Sequence, residues 1–382
     1  MKDKDFSKIY RTYAEIDLEK IRHNGEIAKR IYKGKKIMCV LKADAYGHGI
    51  RGVVPAYESF ADYYAVATAE EALEIRCISK KPILIFGPVP EEKMAMCARA
   101  GIDLTVGDEA YALRLSEVMK REGLSVNCHL KIDTGLNRSG IRSREDDAAM
   151  SVISEIYQRG GLNFVGTYTH FACGEGTLDW ELEFTAGQFS RFTHILGAMR
   201  TAGIDTGICH CASTGGSLVH PEYCMDMVRL GMLPLGMSYS DESVAELGLR
   251  PAMRWVSFVA QIKEIDAGDS VSYGCTFRAE KPMRIAMVTC GYADGYRRSY
   301  SGKTEVLVRG KRTRVLGRIA MDYMMIDVTD LPDARVGEEV ILLGNMQNET
   351  VSAQELSERC DSVSGEITCA ISARVPRIYV NK

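Results

Sequence analysis

The pattern of hydrophobic and polar positions changes once along the chain, near Gly248. Before that point, short apolar runs alternate with stretches whose apolar residues recur at helical spacing. Leu18, Ile21, Ile27, Ala28 and Ile31 mark one such helix between Leu18 and Lys33. It leads into the run Ile37 to Leu41. Further runs follow at Tyr64 to Ala67, Pro82 to Phe86, Asp103 to Val106, Cys128 to Ile132, Phe164 to Tyr168, Ile208 to Ala212 and, less sharply, Met232 to Leu235. Amphipathic segments such as Ala69 to Ser79, Glu109 to Arg121 and Ser151 to Gln158 lie between them. Eight strand-like runs alternating with helices over about 240 residues predict parallel βα units closed into a (β/α)8 barrel; a doubly wound sheet is the other arrangement the pattern allows.

After Gly248 the helical periodicity largely stops. Strand-like runs take over at Val256 to Ile262, Arg284 to Cys290, Thr304 to Val308, Thr313 to Leu316, Tyr323 to Val328 and Glu339 to Leu343, with one helix near Ala353 to Arg359. Turn residues punctuate them, as in Arg309-Gly310-Lys311 and Leu331-Pro332-Asp333, which predicts a mainly antiparallel β domain. The expected division is therefore 1–248 and 249–382. The polar start Met1-Lys2-Asp3-Lys4-Asp5 is expected to fray.

Composition narrows the function. Charged residues make up 26% of the 382, and the net charge is -3. No apolar run is long enough to cross a bilayer. These values favour a small ligand over a nucleic acid or membrane partner. Twelve cysteines stand singly, except Cys209 and Cys211 around His210, and no secretory segment is visible. They read as reduced thiols of a cytoplasmic protein. One-residue spacing is not a usual zinc half-site, so no metal is expected.

In a barrel enzyme the chemistry belongs at the C-terminal ends of the strands. Lys42 stands just after Ile37 to Leu41, where a desolvated amine suits carbonyl chemistry; it can equally be a strand-end lysine reaching to solvent. Arg138 follows Cys128 to Ile132, His170 follows Phe164 to Tyr168, and Ser213-Thr214-Gly215-Gly216 follows Ile208 to Ala212. Each has a plain alternative: a surface ion pair, a core histidine, and a helix N-cap. Together they suit a phosphate bound at a helix N-terminus. Arg229 lies in the apolar run Met225 to Leu233 and must be either half-exposed or held by a specific partner.

The string Lys42-Ala43-Asp44-Ala45-Tyr46-Gly47-His48-Gly49 resembles the cofactor-anchoring segment of alanine racemases, and ordered matches run from about Tyr13 to Tyr379. The resemblance implies a pyridoxal 5'-phosphate enzyme that interconverts L- and D-alanine, supplying D-alanine for peptidoglycan. It further implies a head-to-tail homodimer in which the C-terminal domain reaches the partner's active site. By the same resemblance Lys42 carries the cofactor and serves as one base, and Tyr273, in Gly268 to Gly274, serves as the other. Tyr46, Thr214, Gly231, Met232 and Tyr379 would hold phosphate, and Arg229, hydrogen-bonded by His170, would face the pyridine nitrogen. Arg138 would bind the ring hydroxyl and the substrate carboxylate, with Tyr292, Met321 and Asp322 around the substrate. Lys131 matches a lysine that is often carbamylated.

Two strings depart from the family pattern: Ala212-Ser213-Thr214-Gly215-Gly216 stands for the usual Ala-Asn-Ser-Ala-Ala, and Cys173-Gly174-Glu175 for the usual Ala-Asp. Both bear on substrate identity, so a serine racemase of the same fold is the alternative, and Tyr379 favours alanine over it. A barrel decarboxylase would keep an acidic partner for the ring nitrogen in place of Arg229. A non-catalytic cofactor-binding relative would lack the C-terminal domain.

Overall fold

The apolar runs of the first half form strands because they are covered on both faces. In Ile83–Ile85, Tyr63–Val66 and Met227–Leu230 every residue is buried. The computed structural model describes residues 9–143 and 146–381. The N-terminal pentapeptide lies outside them. The described chain divides into two compact units: one holds residues 22–45 and 50–234, the other the residues up to Ile21, Tyr46–Gly49 and those from Leu235 onward.

In the first unit eight parallel strands follow the order Met227–Leu230, Lys36–Val40, Tyr63–Val66, Ile83–Ile85, Asp103–Val106, Val126–Asp133, Leu162–Tyr168 and Ile208–His210. Amides of Asp226 and Arg229 donate to the carbonyls of Cys209 and Ala212, both at 3.0 Å, and bring the two ends of this sheet together. The result is the nearly closed (β/α)8 barrel that the alternation predicts. Its helices carry their own start and stop signals. Asp108 caps Glu109–Glu122, which ends at left-handed Gly123, and Thr68 with Glu71 forms a capping box on Ala69–Arg76.

The last barrel strand corrects the sequence reading. It is Met227–Leu230, whereas Leu233–Leu235 is a short 3-10 turn. The charge of Arg229 breaks the apolar signal of the true strand, and Pro234 sits where the expected strand would need an amide.

In the second unit nine strands form one sheet that runs from Glu349–Val351 to Arg377–Val380. Met253–Ile265 is its longest strand and pairs with Met283–Val288, Glu339–Met346 and Thr12–Asp17. All pairings in this sheet are antiparallel except that of Thr12–Asp17 with Arg377–Val380. The β character expected after Gly248 is present, and the sheet also recruits a strand from the start of the chain.

Candidate active site

Lys42 stands where the strand Lys36–Val40 gives way to a left-handed turn. Ala43, Asp44 and Ala45 have φ of 53°, 53° and 55°. Side chains with a Cβ adopt this region at a cost. The turn is held from several directions. Glu71 Oε1 accepts from the Ala43 amide at 2.6 Å, Asp44 Oδ1 accepts from the Ile50 amide at 2.7 Å, and the Ala45 amide donates to Leu41 at 2.8 Å. Such strain, imposed by the surroundings, is characteristic of functional loops. Lys42 itself is exposed.

Arg229 is the centre of the barrel's charged interior. It is 4% exposed, and both of its terminal nitrogens are engaged. Nη1 donates to His210 Nδ1 at 3.0 Å; Nη2 donates to His170 Nδ1 at 2.9 Å and to the carbonyls of Thr169 and Cys211 at 3.0 and 2.7 Å. The specific partners required of a buried arginine are therefore present. Burial lowers its pKa to about 10, which leaves it cationic at neutral pH. Burial and then the Arg229 charge hold His170 and His210 well below the ordinary imidazole value, so both are neutral acceptors. Among the described residues Nε has no hydrogen-bond acceptor, and a ring nitrogen with a free lone pair fits it.

Lys131 and Arg138 lie on the strand Val126–Asp133 and the loop after it. Lys131 is buried, its Nζ 2.5 Å from Ser139 Oγ and 5.6 Å from the centre of the Tyr168 ring. Burial, then Arg138 and Arg229, lowers its pKa to about 8. Arg138 is exposed.

Thr214 begins the helix Thr214–Val219, and its Oγ1 accepts from the Gly231 amide at 3.2 Å, so these two phosphate candidates meet. Met232 follows, half-buried. Ser213 occupies the N-cap position, but its side chain makes no capping hydrogen bond. The two strings that depart from the family pattern touch: a Cβ on Gly215 would lie 2.6 Å from Glu175 Cβ. Gly215 therefore admits the Gly174-Glu175 segment.

The second unit gathers the other candidates. Tyr46 is half-buried, and burial raises its pKa. Tyr379 Oη donates to the carbonyls of His48 and Gly49, at 3.1 and 3.4 Å, and a Cβ on Gly49 would collide with it. Glycine is thus required at 49, where φ is +88°. Tyr273, Tyr292 and Met321 are 68%, 42% and 53% exposed. They flank the segment Gly317 to Asp322: the Ser272 hydroxyl donates to the Arg318 carbonyl, and the amides of Tyr292 and Ala293 donate to Ala320 and Met321, both at 3.0 Å. Asp322 is held by Arg374 at 2.8 Å, and Arg374 also pairs with buried Asp294 at 3.1 Å.

Sequence reasoning missed three contributors. Arg318, against Gly274 in the Tyr273 turn, was visible only as one arginine among many. Glu71 acts on a loop 28 residues earlier in the chain. His210 was considered only with its flanking cysteines, whose thiols instead meet the Gly207 and Tyr223 carbonyls.

A (β/α)8 barrel with a strand-end lysine, a caged arginine and a threonine-glycine helix start defines a barrel enzyme suited to an anionic aromatic cofactor. Comparison with known proteins specifies the family. Residues 16–238 match the family model "Alanine racemase, N-terminal domain" and residues 252–379 match "Alanine racemase, C-terminal domain". An alanine racemase of Halothermothrix orenii is 35% identical over 97% of each chain, and one of Desulfovibrio desulfuricans is 37% identical over 96% of this chain and 98% of that one. Among solved structures, the alanine racemase of Clostridium difficile 630 superposes with a TM-score of 0.89 at 33% identity, covering 97% of this chain and 96% of that one. The chain belongs to the alanine racemase family, whose members are isomerases dependent on pyridoxal phosphate.

Proposed function

We propose that this protein interconverts L- and D-alanine, with pyridoxal phosphate held at Lys42, and supplies D-alanine for peptidoglycan from the cytoplasm. The observation that carries the reading is the caged guanidinium of Arg229. A hydrogen-bond donor with a fixed positive charge keeps the cofactor's ring nitrogen unprotonated, which a carboxylate partner would not do. When bound, the cofactor would supply the electron withdrawal that acidifies the substrate's α-proton. Thr214, the amides of Gly215, Gly216, Gly231 and Met232, and the hydroxyls of Tyr46 and Tyr379 are the groups assigned to phosphate.

Inversion of a stereocentre needs proton removal on one face and return on the other. Lys42 is assigned to one face. Tyr273 of the partner subunit is assigned to the other, which accords with its exposure in a single chain and with the Arg318 cation in its turn. Arg138 is assigned to the substrate carboxylate, with Tyr292, Met321 and Asp322 of the partner lining the approach. Lys131 is assigned a carbamate: its lowered pKa provides the neutral amine that adds CO2 with loss of a proton, and the product is an anion able to orient Arg138.

The test is α-deuterium uptake in deuterated water with L-alanine and, separately, L-serine, followed together with enantiomer ratio. Exchange with inversion, faster for alanine, is expected. Tyr273→Phe is expected to exchange without inverting one enantiomer, and mixing it with Lys42→Ala protein under subunit exchange should restore inversion. Faster turnover of serine would transfer the assignment to a serine racemase, and no exchange with either substrate would overturn it.

A further inference from the structure

The cage around Arg229 continues through the barrel. Beyond His210 Nδ1, the other ring nitrogen of that histidine lies 3.0 Å from His129 Nδ1. His129 Nε2 lies 3.3 Å from the Tyr63 hydroxyl, which hydrogen-bonds Asp103. Tyr168 stacks on His210 with centroids 4.9 Å apart and planes at 4°, and is itself anchored to Thr105 at 3.0 Å. Asp103 and Tyr63 are the first residues of their strands, His210 is the last of its own, and every member of the chain is buried.

The direction of each bond follows from chemistry. A guanidinium only donates, so His210 Nδ1 accepts and His210 carries its proton on Nε2. That proton is donated to His129 Nδ1, so His129 is likewise protonated on Nε2 and donates to the Tyr63 oxygen. The Tyr63 hydroxyl then donates to the Asp103 carboxylate. The chain is one-directional, from a buried cation to a buried carboxylate, through two neutral imidazoles and a phenol. Burial, followed by the Arg229 charge, lowers His129 to about 3, in keeping with a neutral link. Asp103 also receives a hydrogen bond from Asn127 and the field of Arg76. An all-apolar interior would be simpler to pack, and an ordered polar chain of this length fixes one arrangement of its members.

We propose that Asp103, Tyr63 and His129 are positioning residues: through His210 they fix the guanidinium plane of Arg229, so that Nε remains the donor available to the cofactor's ring nitrogen. This rests on the racemase reading only for the identity of the group that Nε meets. The experiment uses protein labelled with 15N-histidine, as apoprotein and as holoenzyme. In the wild type, His129 and His210 are expected as neutral, Nε2-protonated imidazoles; a His210 protonated on Nδ1 would overturn the chain whether or not any variant folds.

Tyr63→Phe keeps the ring and removes the link. It is expected to shift the His210 signals in the apoprotein and to weaken cofactor retention on the order of tenfold, with an altered cofactor absorbance band. Asp103→Asn keeps an oxygen acceptor for Tyr63 and is expected to leave the His210 signals in place. Unchanged His210 signals in Tyr63→Phe, their loss in Asp103→Asn, or shifted signals with unchanged retention and spectrum would each overturn the proposal. If the signals and retention respond as expected but the holoenzyme does not racemise alanine, the racemase reading fails and the positioning chain stands.

Discussion

Arg229 shows how much one residue can organise. Its terminal nitrogens meet two imidazoles and two carbonyls. Lysine in its place would keep the charge but lose the planar fork that serves these acceptors together. Arg229→Lys is therefore expected to cost about 2–4 kcal/mol, because buried acceptors lose their donors. Chemical denaturation of the apoprotein measures this; a loss below about 1 kcal/mol would mean that the cage is not the stabilising feature described. The sequence showed that this arginine needed partners. Only His170 among them could be named from it, since His210 and the carbonyls arrive from other strands.

Among the elements, the turn after Lys42 depends on the helix Ala69–Arg76. Glu71 closes the capping box on that helix with one carboxylate oxygen, which accepts from Ala67 and Thr68 at 3.0 and 3.3 Å, and holds the Ala43 amide with the other. Glu71→Ala removes both contacts. The expected result is a loss of about 1–2 kcal/mol together with faster amide hydrogen exchange at Ala43 and Asp44. Faster exchange confined to the helix start would show that the turn holds itself. The strands and most helices were legible because their periodicity is local. The eighth barrel strand was not, because its arginine faces the interior for a tertiary reason that no periodicity expresses.

For the whole molecule, the buried imidazoles set the acid limit. His129 falls to about 3, and His170 and His210 also lie well below 6.5, with burial as the largest cause in each. Above 6.5 each is neutral in both folded and unfolded chains and contributes no pH dependence. As pH falls below 6.5 the unfolded chain takes up protons that the folded one excludes, so stability declines. Each histidine contributes about 1.4 kcal/mol per pH unit in that window, so the three together should cost roughly 4 kcal/mol between about pH 8 and about pH 5.5. Asp103, raised by burial, acts in the opposite sense at lower pH. Equilibrium unfolding across this range is the measurement, and a flat profile would show that the imidazoles are not held neutral.

What the sequence determined by itself were properties carried by neighbouring residues: the alternation that makes a barrel, the change of texture near Gly248, and strings specific enough to mark the family along nearly the whole chain. What only the tertiary structure decided were relations between distant residues. Thr12–Asp17 joins a sheet built mostly from residues after 248, because its edge pairs with Met253–Ile265. Asp103, Tyr63, His129, His210 and Arg229 form one hydrogen-bonded chain because closing the barrel brings their strands around a common interior. Hydrophobic periodicity specifies which face of a strand is buried, and the closed sheet decides which buried polar groups meet.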